Sequence, residues 1–144
     1  MTELILLQLV ATFLMTGVIW FVQVVHYPLF LLVPLEARGE YCKKHMRRTT
    51  AVVLPLMLLE MVTAVLLCVF LWGNIFWLVN LAFILFIWIS SFFIQVPLHY
   101  KLVSGGDNKI VERLVTGNWI RTILWTIRLG MLTFYLYCLI KTSI

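Results

Sequence analysis

The sequence predicts an all-α protein: a four-helix transmembrane bundle, built as a duplicated helical hairpin about a pseudo-two-fold axis along the membrane normal. Three observations point there: a composition too apolar for water, four long apolar segments, and a motif that recurs halfway along. The 144-residue chain is 63% hydrophobic and 12% charged, with a mean hydropathy of +1.05. A soluble domain of this size lacks the interior to hide so much apolar surface, so the bilayer must act as part of its solvent. Aromatic residues make up 15% of the chain, including six Trp, and such rings suit membrane–water interfaces.

The apolar segments run from about residue 4 to 33, 49 to 71, 75 to 98 and 119 to 140. Each reaches the ~20 residues a spanning helix needs. The first exceeds that length, which predicts tilt or a kink at Pro28. It reads as a retained helix and not as a signal peptide, because Glu3 stands where a basic cluster would be and no small-residue cleavage site follows. The second and third segments are joined by "LWGN", a short turn without charge.

Basic residues set the expected orientation. Arg38, Lys43, Lys44, Arg47 and Arg48 lie between the first two segments, and Lys101, Lys109 and Arg113 between the last two, with Arg121 just inside the fourth. The positive-inside rule then puts both basic loops in the cytoplasm and both termini outside, in a bacterial inner membrane. The net charge of +5 is loop charge facing a leaflet, so nucleic acid is not an expected partner; the lipid bilayer and anionic lipid are. Cys42, Cys68 and Cys138 form no C-x-x-C pair, which removes thiol-redox chemistry of the quinone-reductase kind.

The recurring motif links the two halves. Phe21-Val22-Gln23-Val24 matches Phe93-Ile94-Gln95-Val96, and His26-Tyr27-Pro28-Leu29 matches His99-Tyr100-Lys101-Leu102. From His26 to Arg48 is 22 residues, as from His99 to Arg121. The boundary near Gly73 divides the chain into repeats 1–72 and 73–144 of a single domain. Two helices per unit keep the copies parallel.

Counting the helical rise sets depths. From Thr49 to Glu60 is roughly 16 Å, and from Trp119 to Arg128 roughly 13 Å, both near the middle of a ~30 Å core. Equal depth predicts a buried ion pair between Glu60 and Arg128 that locks the second helix to the fourth. Polar residues recur at helical spacing on every segment: Thr16, Trp20, Gln23 and His26/Tyr27 on the first; Thr49, Glu60 and Thr63 on the second; Ser91, Gln95 and His99 on the third; Asn118, Arg121, Trp125 and Arg128 on the fourth. A charge facing hydrocarbon costs at least ~2.5–3.5 kcal/mol, so these stripes are expected to converge inside the bundle. Pro28, Pro55 and Pro97 lie in one half of their helices, where bends could open a wedge-shaped pocket.

Candidate roles follow. Opposed at equivalent positions, His26 and His99 could ligate a transition metal, supply both axial ligands of haem b, or act as acid and base, with Glu60 as a third proton-exchanging group. Gln23 and Gln95 could orient those rings. Arg121 has no acid left to pair with, so Arg48, Arg121 and Asn118 would bind an anionic cofactor or ligand, flanked by Trp125 and held by Arg128. His45 and the stretch "RGEYCKKHMRR" read as a solvated, interfacial basic segment, and "SGGDNK" as a turn without chemistry.

The stretches "HYPLF", "RRTT…P…E", "QVPLH" and "NWIRT..W..R" resemble a group of uncharacterised bacterial four-helix membrane proteins over nearly the whole chain. In size and topology the chain is also similar to the HemJ type of protoporphyrinogen oxidase and to anthrone-oxygenase-like membrane proteins, which implies haem or oxygen chemistry; the HemJ pattern of a ligating His and Lys is not found here. The expected function is therefore a membrane protein with a cytoplasmic-side polar pocket for an anionic amphiphile or cofactor, acting as a haem- or metal-dependent oxidoreductase. The competing expectation is a proton or solute transporter, a homo-oligomer, or an accessory subunit.

Overall fold

A computed structural model describes residues 1–143. Four spans cross the molecule: Thr2–Leu32, Leu35–Phe70, Ile75–Val103 and Asn108–Thr142, each long and apolar enough to traverse a bilayer. The protein is an all-α four-helix bundle, and its outer surface is that of an integral membrane protein: Leu32, Phe93, Ile75 and Phe134 are all exposed, as lipid-facing side chains must be. Neighbouring spans pack as a ring in the order first, second, third, fourth, back to first.

The helices run further than the apolar segments. The second span is one helix, α2 (Leu35–Phe70), and the fourth is α5 (Asn108–Ser143), 36 residues each. At the standard rise each is about 54 Å long against a hydrocarbon core of about 30 Å. The basic stretch at residues 38–48 thus lies within the first four turns of α2 and is not a loop. Charge does not break a helix, and Glu36 in the first turn complements its dipole.

Real breaks coincide with turn chemistry. Pro34 precedes α2 in extended conformation. Asn74 caps α3 (Ile75–Ser90), its side chain accepting from the Phe76 N–H. After α4 (Val96–Val103), Gly105 at φ +95° accompanies two backbone bonds, Gly106 N–H to Lys101 O and Gly105 N–H to Leu102 O. That is the Schellman pattern, closed by the residue best able to adopt a left-handed conformation.

Two π-helical turns are the departure that most affects function. One spans Val22–His26 between α1 (Thr2–Phe21) and a 3₁₀ turn at Pro28–Leu32; the other spans Ser91–Gln95 between α3 and α4. In the first, the Tyr27 N–H bonds to Val22 O; in the second, the Val96 N–H bonds to Ser91 O. Each lies just ahead of a proline, Pro28 or Pro97, whose missing N–H already breaks the regular ladder. The extra residue widens the turn, as π-bulges do at functional sites. Pro55, by contrast, lies within an uninterrupted α2.

Apolar clusters alternate with polar layers along the bundle. Ile5, Leu67, Trp77 and Leu132 fill the end nearest the termini; Met15, Ile19, Met57, Ile87 and Trp125 the middle; and Tyr27, Phe30, Cys42, Leu102 and Leu114 the basic end.

Candidate functional site

The central polar layer draws on all four spans. Arg128 Nη1 donates to Glu60 Oε1 at 2.6 Å, both side chains being buried. Thr12 Oγ1 donates to the same oxygen at 2.8 Å and accepts from Arg128 Nη2 at 3.2 Å. Trp125 Nε1 donates to Glu60 Oε2 at 3.0 Å, and Arg128 Nε to Asn80 Oδ1 at 3.1 Å. Both carboxylate oxygens and all three guanidinium nitrogens are engaged. The predicted pair forms at equal depth, and its satisfaction by neutral neighbours makes it a fastener between helices.

Two turns nearer the basic end, Arg121 is built differently. Its Nε and Nη2 donate to Asn118 Oδ1, Nη1 to Ser91 Oγ at 3.2 Å and Nη2 to Tyr27 Oη at 3.4 Å. Asn118 is fixed in turn by Gln23, whose Oε1 accepts from Asn118 Nδ2 at 2.8 Å while its Nε2 donates to Val115 O at 3.1 Å. Every partner of Arg121 is neutral, and the residue is 8% exposed. Gln23 therefore serves the arginine layer and not the ring of His26.

The histidine layer departs from the expectation. His45 is buried, not solvated, and its ring lies between the two candidates. His26 Nε2 meets His45 Nδ1 at 2.7 Å, and the rings of His45 and His99 stack with centroids 5.4 Å apart, 9° from parallel. Thr49 Oγ1 is 3.1 Å from His45 Nδ1. His99 Nδ1 lies 2.7 Å from Gln95 O; a carbonyl only accepts, so Nδ1 carries the proton. A haem between two axial imidazoles needs an open slot, and here a third imidazole fills it. As placed, His26 and His99 are not an axial pair, and among the described residues no three His, Cys, Asp or Glu side chains form a metal-ligating group.

A cavity of about 310 Å³ lies beside these layers, between α2 and the third span. Tyr27, His45, Gln95, His99, Arg121 and Trp125 provide its polar wall, and Met15, Ile19, Val53, Met57 and Trp88 much of the apolar remainder. Thr50, Leu54, Phe92 and Val96, also on its lining, are exposed on the lipid-facing surface. The mouth therefore opens on the outer surface of the bundle, between the second and third spans.

No family model, curated protein or solved structure matches this chain.

The remaining predicted residues divide. Gln95 reaches the cavity wall, but only its backbone carbonyl serves His99; its side-chain N and O have no hydrogen-bond partner. Arg48 is exposed and lies outside the cavity lining, so the mouth has one arginine and not two. Trp125 bonds the carboxylate of Glu60 in place of stacking on an arginine. Arg38, expected among the leaflet-facing charges, is 2% exposed and donates to Val33 O at 3.0 Å. The sequence placed Tyr27 on the inward stripe but gave no sign of Thr12 or Asn80, and His45 was expected in solvent. For His45 a signal existed: Arg38, Cys42, His45 and Thr49 recur at intervals of four, three and four, one face of a helix.

Proposed function

We propose that the protein binds an anionic amphiphile that enters sideways from the bilayer, its charged head at Arg121 and its tail in the apolar cavity. The charge balance at Arg121 carries this reading. A guanidinium deep in a membrane is costly, and Arg128 meets that cost with a carboxylate where Arg121 has only amide and hydroxyl partners. The mouth between Leu54 and Phe92 suits a ligand that partitions into lipid. Acid–base chemistry on the bound head would fall to His99 and His45, which line the cavity, with His26 behind them; Glu60 is held in its pair and acts structurally.

On the same footing we orient the basic ends towards the cytoplasm of a bacterial inner membrane, with both termini outside, by the positive-inside rule. The duplicated hairpin rests on the recurring Gln and His stretches; each Gln lies in a π turn, second in one and last in the other. Likeness to the bacterial four-helix group rests on stretches that supply Tyr27, Asn118, Arg121, Trp125 and Arg128.

The test is binding of dodecyl phosphate and of dodecanol to purified protein in nanodiscs. The reading expects the phosphate to bind at least tenfold tighter, with Arg121→Gln abolishing that preference. Equal binding of the two probes would overturn it.

The transport alternative draws on a different observation. Gln8 Nε2, Trp77 Nε1 and Asn80 Nδ2 are buried without partners, so donors able to hold water extend beyond the ion pair towards the termini. Proton flux in liposomes that is lost in Glu60→Gln would favour it; no flux would remove it.

A further inference from the structure

We propose that the cavity selects an anionic amphiphile whose head group also carries a hydroxyl, the anionic oxygen bound by Arg121 and the hydroxyl by Gln95 and His99. This rests on the amphiphile reading and specifies its ligand.

The side-chain amide of Gln95 has nothing to bond. Gln95 is 2% exposed, and neither its Nε2 nor its Oε1 has a partner. A buried primary amide offers two donors and two acceptor lone pairs, and leaving them unpaired is among the costlier things a fold can do. The backbone offers one reason it stays so: Ser91–Gln95 is the π turn, which ends on Gln95 and sets its side chain at the wall of the cavity. Gly117 lies against it, since a Cβ there would stand 3.3 Å from Gln95 Nε2 and 2.9 Å from Ile94 Cγ2. Turning the amide from that wall into the cavity breaks no hydrogen bond.

The neighbouring groups define what it would meet. Arg121 has neutral partners only, so an anionic oxygen is the complement it lacks, and Gln95 Nε2 is a second donor for such an oxygen. Gln95 Oε1 accepts only. With Nδ1 of His99 donating to the Gln95 carbonyl, Nε2 of the neutral ring is likewise an acceptor, on a residue that lines the cavity. Two donors and two acceptors thus stand at one end of an apolar chamber. An ionised carboxylate or a phosphodiester without hydroxyls accepts only and leaves Oε1 of Gln95 and Nε2 of His99 unpaired. A phosphoglycerol head, with two hydroxyls, satisfies all four; a hydroxy-acid head, with one, pairs both donors and one of the two acceptors.

The experiment compares matched probes by native mass spectrometry of the full-length protein in nanodiscs. Dodecylphosphoglycerol is set against dodecyl methyl phosphate, and β-hydroxydodecanoate against dodecanoate; within each pair the charge and the dodecyl chain are held and the hydroxyls change. Free glycerol phosphate, which has no tail, tests whether the head alone suffices. The hydroxylated member of each pair should bind about tenfold tighter, Gln95→Leu should collapse that gap while leaving the weaker member bound, and Arg121→Gln should weaken both members alike. Because the wild-type comparison needs no variant, a misfolded Gln95→Leu protein does not rescue or sink the proposal. Equal affinities within both pairs overturn the hydroxyl assignment and leave the amphiphile reading standing. Absence of binding by every tailed probe, or glycerol phosphate binding as tightly as its dodecyl ester, overturns both.

Discussion

Arg128 and Glu60 meet at 2.6 Å in the middle of the bundle, and Arg121, seven residues before Arg128 on the same helix, meets no carboxylate among the described residues. The first guanidinium is neutralised and tied to Thr12, Asn80 and, through Glu60, Trp125; the second is held by Asn118, Ser91 and Tyr27 beside an apolar cavity. One arginine fastens the helices, and the other keeps a charge available.

Breaking the fastener should be expensive. Glu60→Gln leaves a buried guanidinium without its counter-charge and should cost about 3–5 kcal/mol. Glu60→Leu combined with Arg128→Leu should cost less than the sum of the two single changes, because no lone charge remains. Reversible unfolding in bicelles measures both.

His45 and Arg48 provide a contrast within three residues of α2. His45 is buried between two imidazoles, and its loss in His45→Leu orphans the His26 Nε2 it meets at 2.7 Å; a cost of about 1–3 kcal/mol follows. Arg48 is exposed, so Arg48→Ala should stay within about 0.5 kcal/mol of wild type. A soluble basic loop would make both changes neutral in thermal melts.

Much of the fold was legible because it follows from average properties: hydropathy reports spans, and equal depth on two helices pairs Glu60 with Arg128. The inward stripes of Gln23, Asn118 and Arg121 were legible for the same reason, since a period of 3.6 survives local irregularity. What escaped was local. The charge of residues 38–48 obscured a helical face that carries Arg38, Cys42 and His45 inward, so the third imidazole went unseen. The π turns shift the register by one residue, and counting along regular helices cannot register that shift; it decides that the side chain of Gln95 stands at the cavity wall without a partner while only its carbonyl holds His99.

Close approach of α2 to the end of α4 depends on Gly39. A Cβ at that position would stand 2.8 Å from the backbone oxygen of Val103, and a backbone atom cannot rotate away. Gly39→Ala should therefore destabilise by about 1–3 kcal/mol. At Gly130, where a Cβ would meet nothing within 4 Å, the same substitution should be neutral or slightly stabilising through helix propensity. Parallel melts of the two variants separate packing from propensity.

A lateral mouth has a kinetic consequence. Leu54 is 40% exposed and Phe92 55% exposed at its rim, so Leu54→Trp should narrow the entrance without burying new surface. Association of dodecyl phosphate, followed by stopped-flow fluorescence of the cavity tryptophans Trp88 and Trp125, should slow about tenfold while stability changes by less than about 0.5 kcal/mol. An unchanged rate would place the entrance elsewhere.

The most direct test extracts the protein from its own membrane into polymer-bounded nanodiscs and weighs what travels with it. Mass spectrometry of wild type should find one tightly held anionic amphiphile per chain, retained through delipidation, and Arg121→Gln should have lost it while keeping the bulk lipid. If both proteins carry the same lipids in the same amounts, the cavity holds no anion and the account is wrong.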